Sequence, residues 1–140
     1  MKQIPVIFWT GTGNTQMMAD VIAEAINAAG AEAVVKNVSE ISADEAAGYA
    51  ALALGCPAMG AEVLEECEFE PFFTELEGKL NGKKVALFGS YGWGGSYMQD
   101  WEARVKDAGA ELVAAGVLAL GAPDGEAEAK LAEAGKLLAE

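Results

Sequence analysis

The apolar positions of this chain fall into five short runs, Ile4 to Trp9, Ala33 to Val38, Ala50 to Gly55, Val85 to Gly89 and Glu111 to Leu120, rich in Val, Ile, Leu and Ala. Short continuous runs of this kind predict strands covered on both faces. Between them the period lengthens. Met17, Met18, Val21, Ile22, Ala25 and Ile26 recur at helical spacing, and Gly30 stands where a C-terminal cap belongs. Pro71 opens a second helical stretch with Phe72, Phe73, Leu76 and Leu80, while Tyr97, Trp101, Val105 and Ala108 mark another that Gly109 closes. After Pro123 and Asp124, the positions Leu131, Ala134, Leu137 and Leu138 predict a terminal helix. Ser39 to Tyr49 has room for a modest helix only. Strands alternating with helices predict an α/β fold, a doubly wound five-stranded parallel sheet with helices on both faces. Pro5 has no N–H to give a ladder, so pairing of the first strand is expected to begin after it.

Length and composition narrow the class. The 140 residues fit a single domain spanning 1–140, with one core that buries roughly two thirds of the unfolded surface. No apolar run reaches the roughly 18 residues of a membrane span, and the first residues lack the pattern of a secretory signal. A soluble protein is expected. Cys56 and Cys67 have neither metal-ligand nor disulfide-framework spacing, which points to unpaired structural cysteines in a reduced cytoplasmic setting.

The formal net charge of −13 argues against nucleic acid as a partner, because phosphate backbones are bound by clustered Lys and Arg. Between Asn37 and Gly78 there are ten acidic residues and no basic one, half of them in Glu62, Glu65, Glu66, Glu68 and Glu70. Read alone, such a run is a solvated surface; beside a ligand loop it would steer a basic protein partner.

Three loops carry the candidate chemistry, each following a predicted strand. Thr10, Gly11, Thr12, Gly13, Asn14 and Thr15 combine glycines that let amides converge with neutral hydroxyl and amide donors at a helix start. The arrangement is a phosphate nest without a cation, or else a plain helix cap. It lacks the Gly-Lys-Ser/Thr ending of a P-loop and the third glycine of a dinucleotide fingerprint. The second loop runs through Pro57, Ala58, Met59, Gly60, Ala61 and Glu62, where the Gly60–Ala61 peptide has two orientations open to it, or forms an ordinary turn. The third presents Ser90, Tyr91, Gly92, Trp93 and Gly94, aromatic rings on a glycine-rich backbone suited to lie against a flat ligand, Trp93 foremost and Tyr91 after it. With no histidine in the chain, a Ser/His or Cys/His catalytic set is excluded. A buried carboxylate is the general base left open, nothing in the pattern points to one, and any chemistry is expected to belong to the ligand. No metal site is expected.

Together the three loops resemble those of the flavodoxins, specifically the short-chain clostridial type that carries FMN. The resemblance rests on Trp9 to Thr15, on Gly55 to Phe72 with Glu62-Val63-Leu64-Glu65-Glu66, and on Lys83 to Gly94. It implies the family's strand order 2-1-3-4-5, with FMN at the switch between strands one and three. It also implies that Thr10, Thr12, Asn14 and Thr15, with the amides of Gly11 and Gly13, hold the FMN phosphate. Met59 and Trp93 would sandwich the isoalloxazine, the Gly60 carbonyl would meet the reduced N5–H, Glu62 the N3–H, and the Gly92 amide a pyrimidine oxygen. The chain departs from the family pattern at Ala61, where a polar residue or glycine is more usual, and in a loop one residue shorter after Trp93.

The function implied is low-potential one-electron transfer by non-covalently bound FMN cycling between neutral semiquinone and anionic hydroquinone, with no substrate turnover of its own. A hydrogen bond at N5 is worth about 0.5–1.5 kcal/mol. One carboxylate about 10 Å from the anionic flavin costs roughly 1.7 kcal/mol at an effective dielectric of 20, so several would dominate and make the second couple strongly reducing. The implied partners are redox proteins with basic surfaces, a reductase donor and low-potential acceptor enzymes, met by a monomer. The rival is an FMN-dependent NAD(P)H quinone or nitro-compound reductase, which needs a second substrate pocket and tends to carry extra loops or an obligate dimer interface. A phosphoryl-accepting receiver domain would want an acidic pair where the chain has Trp9-Thr10-Gly11.

Overall fold

The computed structural model describes residues 2–9, 13–57, 64–65, 67–91 and 96–140, Ser96 by its backbone alone. In chain order it has β1 (Gln3–Phe8), α1 (Asn14–Ala28), β2 (Glu32–Asn37), a 3-10 turn (Val38–Glu40), α2 (Ala43–Ala46), β3 (Ala51–Gly55), α3 (Phe69–Glu77), β4 (Lys84–Tyr91), α4 (Ser96–Asp107), β5 (Glu111–Leu112), β6 (Val117–Leu120) and α5 (Gly125–Ala139). The strands pair in parallel in the order β2-β1-β3-β4-β5, with β6 also beside β4. The chain moves one way across the sheet from β1 to β2 and the other way from β3 onward. That reversal opens a crevice beyond the C-terminal ends of β1 and β3, where open α/β sheets bind ligands.

Alternation along each strand separates two cores. Ile4, Val6, Phe8, Ala51, Ala53, Ala86 and Phe88 pack under α1 and α5, whereas Ile7, Leu52, Leu54, Val85 and Leu87 pack under α3 and α4. Helix ends follow local sequence. Gly30 (φ 94°) and Gly109 (φ 86°) take the left-handed conformation that closes α1 and α4, and the Ala31 N–H returns to the Ile26 carbonyl at 3.2 Å. Asp124 caps α5 by accepting from the Ala127 N–H at 2.9 Å.

Four expectations need correction. The run Glu111 to Leu120 is two segments on one side of β4 rather than one strand. The interruption follows from packing: the Gly116 N–H turns away to Glu102 Oε2 at 2.7 Å, and a Cβ at Gly116 would collide with the Met98 side chain. Pro5 does not delay pairing with β2, which begins at Gln3; pairing with β3 begins at Val6. The Glu32 N–H donates to the Lys2 carbonyl and the Trp9 N–H to the Gly55 carbonyl, so odd positions of β1 face β3. The missing N–H of Pro5 therefore points to β3 just before that ladder starts. The second helix begins at Phe69, with Pro71 inside its first turn. Strand β4 extends to Tyr91, so Ser90 and Tyr91 end a strand instead of lying in a loop.

Candidate functional site

Because every strand is parallel, the C-terminal ends of β1, β3 and β4 lie side by side. Of the sequence-predicted site residues, Gly13, Asn14, Thr15, Pro57, Ser90 and Tyr91 are described at this end. Thr10, Gly11, Thr12, Ala58, Met59, Gly60, Ala61, Glu62, Gly92, Trp93 and Gly94 lie outside the described residues.

Gly13 caps α1 with φ 93°, a conformation that excludes most side chains, and its carbonyl accepts from the Met17 N–H at 3.1 Å. The first turn of α1 carries no acidic side chain, so no carboxylate competes with an anion for the positive end of the helix. Thr15 follows at once, 1% exposed, with its hydroxyl 3.2 Å from that of Ser90, itself 6% exposed. The first loop and the end of β4 are thus joined by a buried pair of neutral hydroxyls. Such donors, with a helix terminus beside them and no cation, suit the uncharged and phosphate parts of a nucleotide-like ligand. Tyr91 is half-buried, and its carbonyl accepts from the Gly121 N–H at 3.2 Å. Beside it a cavity of about 240 Å³ opens between the end of β6 and the start of α5, lined by Tyr91, Leu118, Leu120, Asp124 and Lys130. Sequence reading missed this cavity; the Pro123-Asp124 helix start was its only signal.

The second loop departs from Cys56 and returns at Glu65. Cys56 is fully buried, and burial pushes its thiol up to about 12, which keeps it neutral and unreactive. Its Sγ accepts from the Glu65 N–H at 3.3 Å, and its carbonyl accepts from the Tyr97 hydroxyl at 2.7 Å. Burial likewise pushes the Tyr97 phenol well above its ordinary range, so it remains a donor. Both cysteines are unpaired, as expected, but Cys67 is exposed.

The acidic run is less of a free surface than its sequence implies. Glu65 is 5% exposed, and its carboxylate accepts from the backbone N–H groups of Cys67 at 2.7 Å, Glu68 at 2.8 Å and Phe69 at 2.9 Å. Burial opposes its ionisation, yet those three donors outweigh it and hold the carboxyl below the usual carboxylate range. An acid held ionised in this way is a cap for α3 rather than a general base. Glu70 meets Arg104 through both oxygens, at 2.7 and 2.8 Å, and Glu77 does so at 3.0 and 3.1 Å. The Arg104 guanidinium, with help from the Thr74 hydroxyl, holds Glu70 below the usual carboxylate range although burial opposes it. Glu68 accepts from Trp9 Nε1 at 3.2 Å. No group of metal-binding side chains is found among the described residues.

The flavodoxin family model matches residues 6–135. The chain is 48% identical over 135 residues to the flavodoxin of Clostridium beijerinckii, covering 96% of this chain and 97% of that protein. It is 46% identical over 116 residues to the flavodoxin of Megasphaera elsdenii, covering 82% and 85%. The solution structure of two-electron reduced Megasphaera elsdenii flavodoxin superposes with a TM-score of 0.89 at 43% identity, over 97% of this chain and 98% of that one.

Proposed function

The chain belongs to the flavodoxin family, small flavin-binding electron carriers that work with protein partners, and we propose that its flavin is FMN and its role low-potential one-electron transfer without substrate turnover of its own. The observation that carries this reading is the buried Thr15–Ser90 hydroxyl pair at the crevice, beside an α1 terminus free of acidic side chains. FMN, when bound, supplies reversible one-electron chemistry. The chain supplies the setting. Thr10, Thr12, Asn14 and Thr15, with the amides of Gly11 and Gly13, would hold the phosphate by neutral donors alone. Met59 and Trp93 would cover the flavin ring, Ser90 and Tyr91 at the end of β4 would close one side of the site, and the Gly60 carbonyl and Glu62 would meet its polar edge. Pro57, Ala58, Ala61, Gly92 and Gly94 would complete the surrounding backbone.

With a net charge of −13 and no compensating cation in the site loops, added electron density on the flavin is disfavoured, which supports a reducing potential. The same charge supports docking to basic surfaces of a reductase and of acceptor enzymes; a monomer working in the cytoplasm is part of the same proposal. Among the described residues no helix is long and apolar enough to cross a membrane.

The test is an anaerobic reductive titration of the FMN-loaded chain followed by visible absorbance. Two well-separated one-electron steps are expected, the second below the potential of free FMN. A single two-electron step, or steady oxidation of NAD(P)H by the protein alone, would favour a reductase instead. Tighter binding of riboflavin than of FMN would remove the phosphate role from the first loop.

A further inference from the structure

Three hydrogen bonds tie together residues that flank all three loops of the crevice. Trp9, the last described residue before the first loop, donates to Glu68 at 3.2 Å. Cys56 and Glu65, which bracket the second loop, are joined by the bond from the Glu65 N–H to Cys56 Sγ at 3.3 Å. Tyr97, in the first turn of α4 after the third loop, donates to the Cys56 carbonyl at 2.7 Å. Gly89 belongs to the same knot, because a Cβ there would collide with both the Cys56 carbonyl and the Tyr97 hydroxyl.

Glu65 sits at its centre, and its placement is unusual for a helix cap. The N-cap position of α3 is Glu68, whose own side chain makes no capping bond and is engaged with Trp9 instead. The cap comes from Glu65, three residues earlier. Its two carboxylate oxygens take the N–H groups of Cys67, Glu68 and Phe69, and its backbone carbonyl takes that of Glu70 at 2.8 Å. The next residue, Pro71, has no N–H to satisfy. A buried carboxylate is tolerated only when its hydrogen bonds are complete, so this return point of the loop has one low-energy arrangement.

We propose that Glu65, through Cys56 and Tyr97, is a positioning residue that pre-sets the second loop against the flavin and couples it to the other two. The proposal rests on the flavin site argued above. Preorganising a binding loop lowers the ordering cost of binding, so loss of the knot weakens the ligand without removing any group that touches it.

The experiment uses the full chain with Glu65→Gln, which keeps the shape but offers one acceptor oxygen to three donors. Glu75→Gln, on the exposed side of α3, controls for the lost charge. Readouts are amide hydrogen exchange at Cys67 to Phe69 without ligand, FMN affinity by fluorescence titration, and the potential of the first one-electron couple. Glu65→Gln is expected to speed exchange at those amides, weaken oxidised FMN about tenfold and, because the second loop is argued to bond the reduced N5–H, weaken the one-electron-reduced flavin about tenfold further, which lowers the first couple by about 59 mV. Glu75→Gln should leave affinity and first couple unchanged. Faster exchange with native affinity and potential would overturn the proposal, since the knot would then serve α3 alone. If Glu65→Gln does not fold, Tyr97→Phe removes only the bond to Cys56; the same direction of change supports the proposal and native values overturn it. An unsubstituted chain that does not take up FMN would instead overturn the flavin reading, before any variant is compared.

Discussion

The two faces of the sheet are built differently. Under α1 and α5 the strands set the small residues Ala51, Ala53 and Ala86 among Ile4, Val6, Phe8 and Phe88, and the two helices approach until a Cβ at Gly135 would lie 2.9 Å from both the Ile22 carbonyl and the Ala25 side chain. Under α3 and α4 the strands send Leu52, Leu54 and Leu87 against an aromatic cluster, in which Trp101 meets Phe69 and Phe73 edge-on at 5.5 and 5.9 Å and stacks on Tyr97 at 6.4 Å. Each face carries buried polar groups at the crevice, the Thr15–Ser90 hydroxyl pair under α1 and the knot of Cys56, Glu65 and Tyr97 beside α3 and α4. The lesson is a division of labour. Small residues let α1 and α5 come close to the sheet, larger ones fill the space under α3 and α4, and at the crevice each face gives way to buried polar groups.

The strongest way to break this comparison is to empty the aromatic cluster. Trp101→Ala should cost about 3–5 kcal/mol by urea unfolding. Trp101→Phe should cost far less, because the buried Trp101 Nε1 has no hydrogen-bond partner among the described residues. On the other face Gly135→Val should cost about 1–3 kcal/mol, since the obstacle includes backbone. Equal tolerance of both glycine and tryptophan changes would erase the distinction between the faces.

Acid sharpens it next. Glu65 and Glu70 have carboxyls lowered in the folded chain, so their contribution is present above the unfolded carboxyl pKa of about 4.3 and is lost as pH falls through the lower folded values. Stability of the native chain should drop on acidification below about pH 4.5, and Glu65→Gln should flatten that drop. The smallest expected effect is Arg104→Lys, which gives up two-oxygen pairing with Glu70 and Glu77 at a partly exposed site and should cost about 0.5–1 kcal/mol. Native thiol labelling should modify Cys67 and spare Cys56 until the chain is unfolded.

Features governed by local rules were legible in the sequence. The first four strand runs, the closing glycines Gly30 and Gly109 and the terminal helix after Asp124 each depend on a few neighbouring residues, and all stand where the pattern puts them, give or take a residue or two. What escaped depends on distant partners. Glu65 reads as one more solvated acid, and only its position just ahead of a helix start hints that it turns inward. The break between β5 and β6 is set by Met98 and Glu102 on α4, residues far away in sequence. Ser90 stands among the expected site residues, but the pattern does not show its partner Thr15, which lies 75 residues away. The roles given to Met59 and Glu62 rest on family resemblance and those of Gly60 and Trp93 on the loop pattern as well, and all four lie outside the described residues.

That break has a consequence for how copies of the protein behave in a crowded solution. A long unbroken outer strand is a template on which a second molecule can add its own strand, whereas β5 has two residues and β6 four. The opposite outer strand, β2, has only Ala33, Val34 and Val35 between Glu32 on one side and Lys36 and Asn37 on the other. Neither margin offers a long apolar ladder, so self-association by strand addition is disfavoured at both.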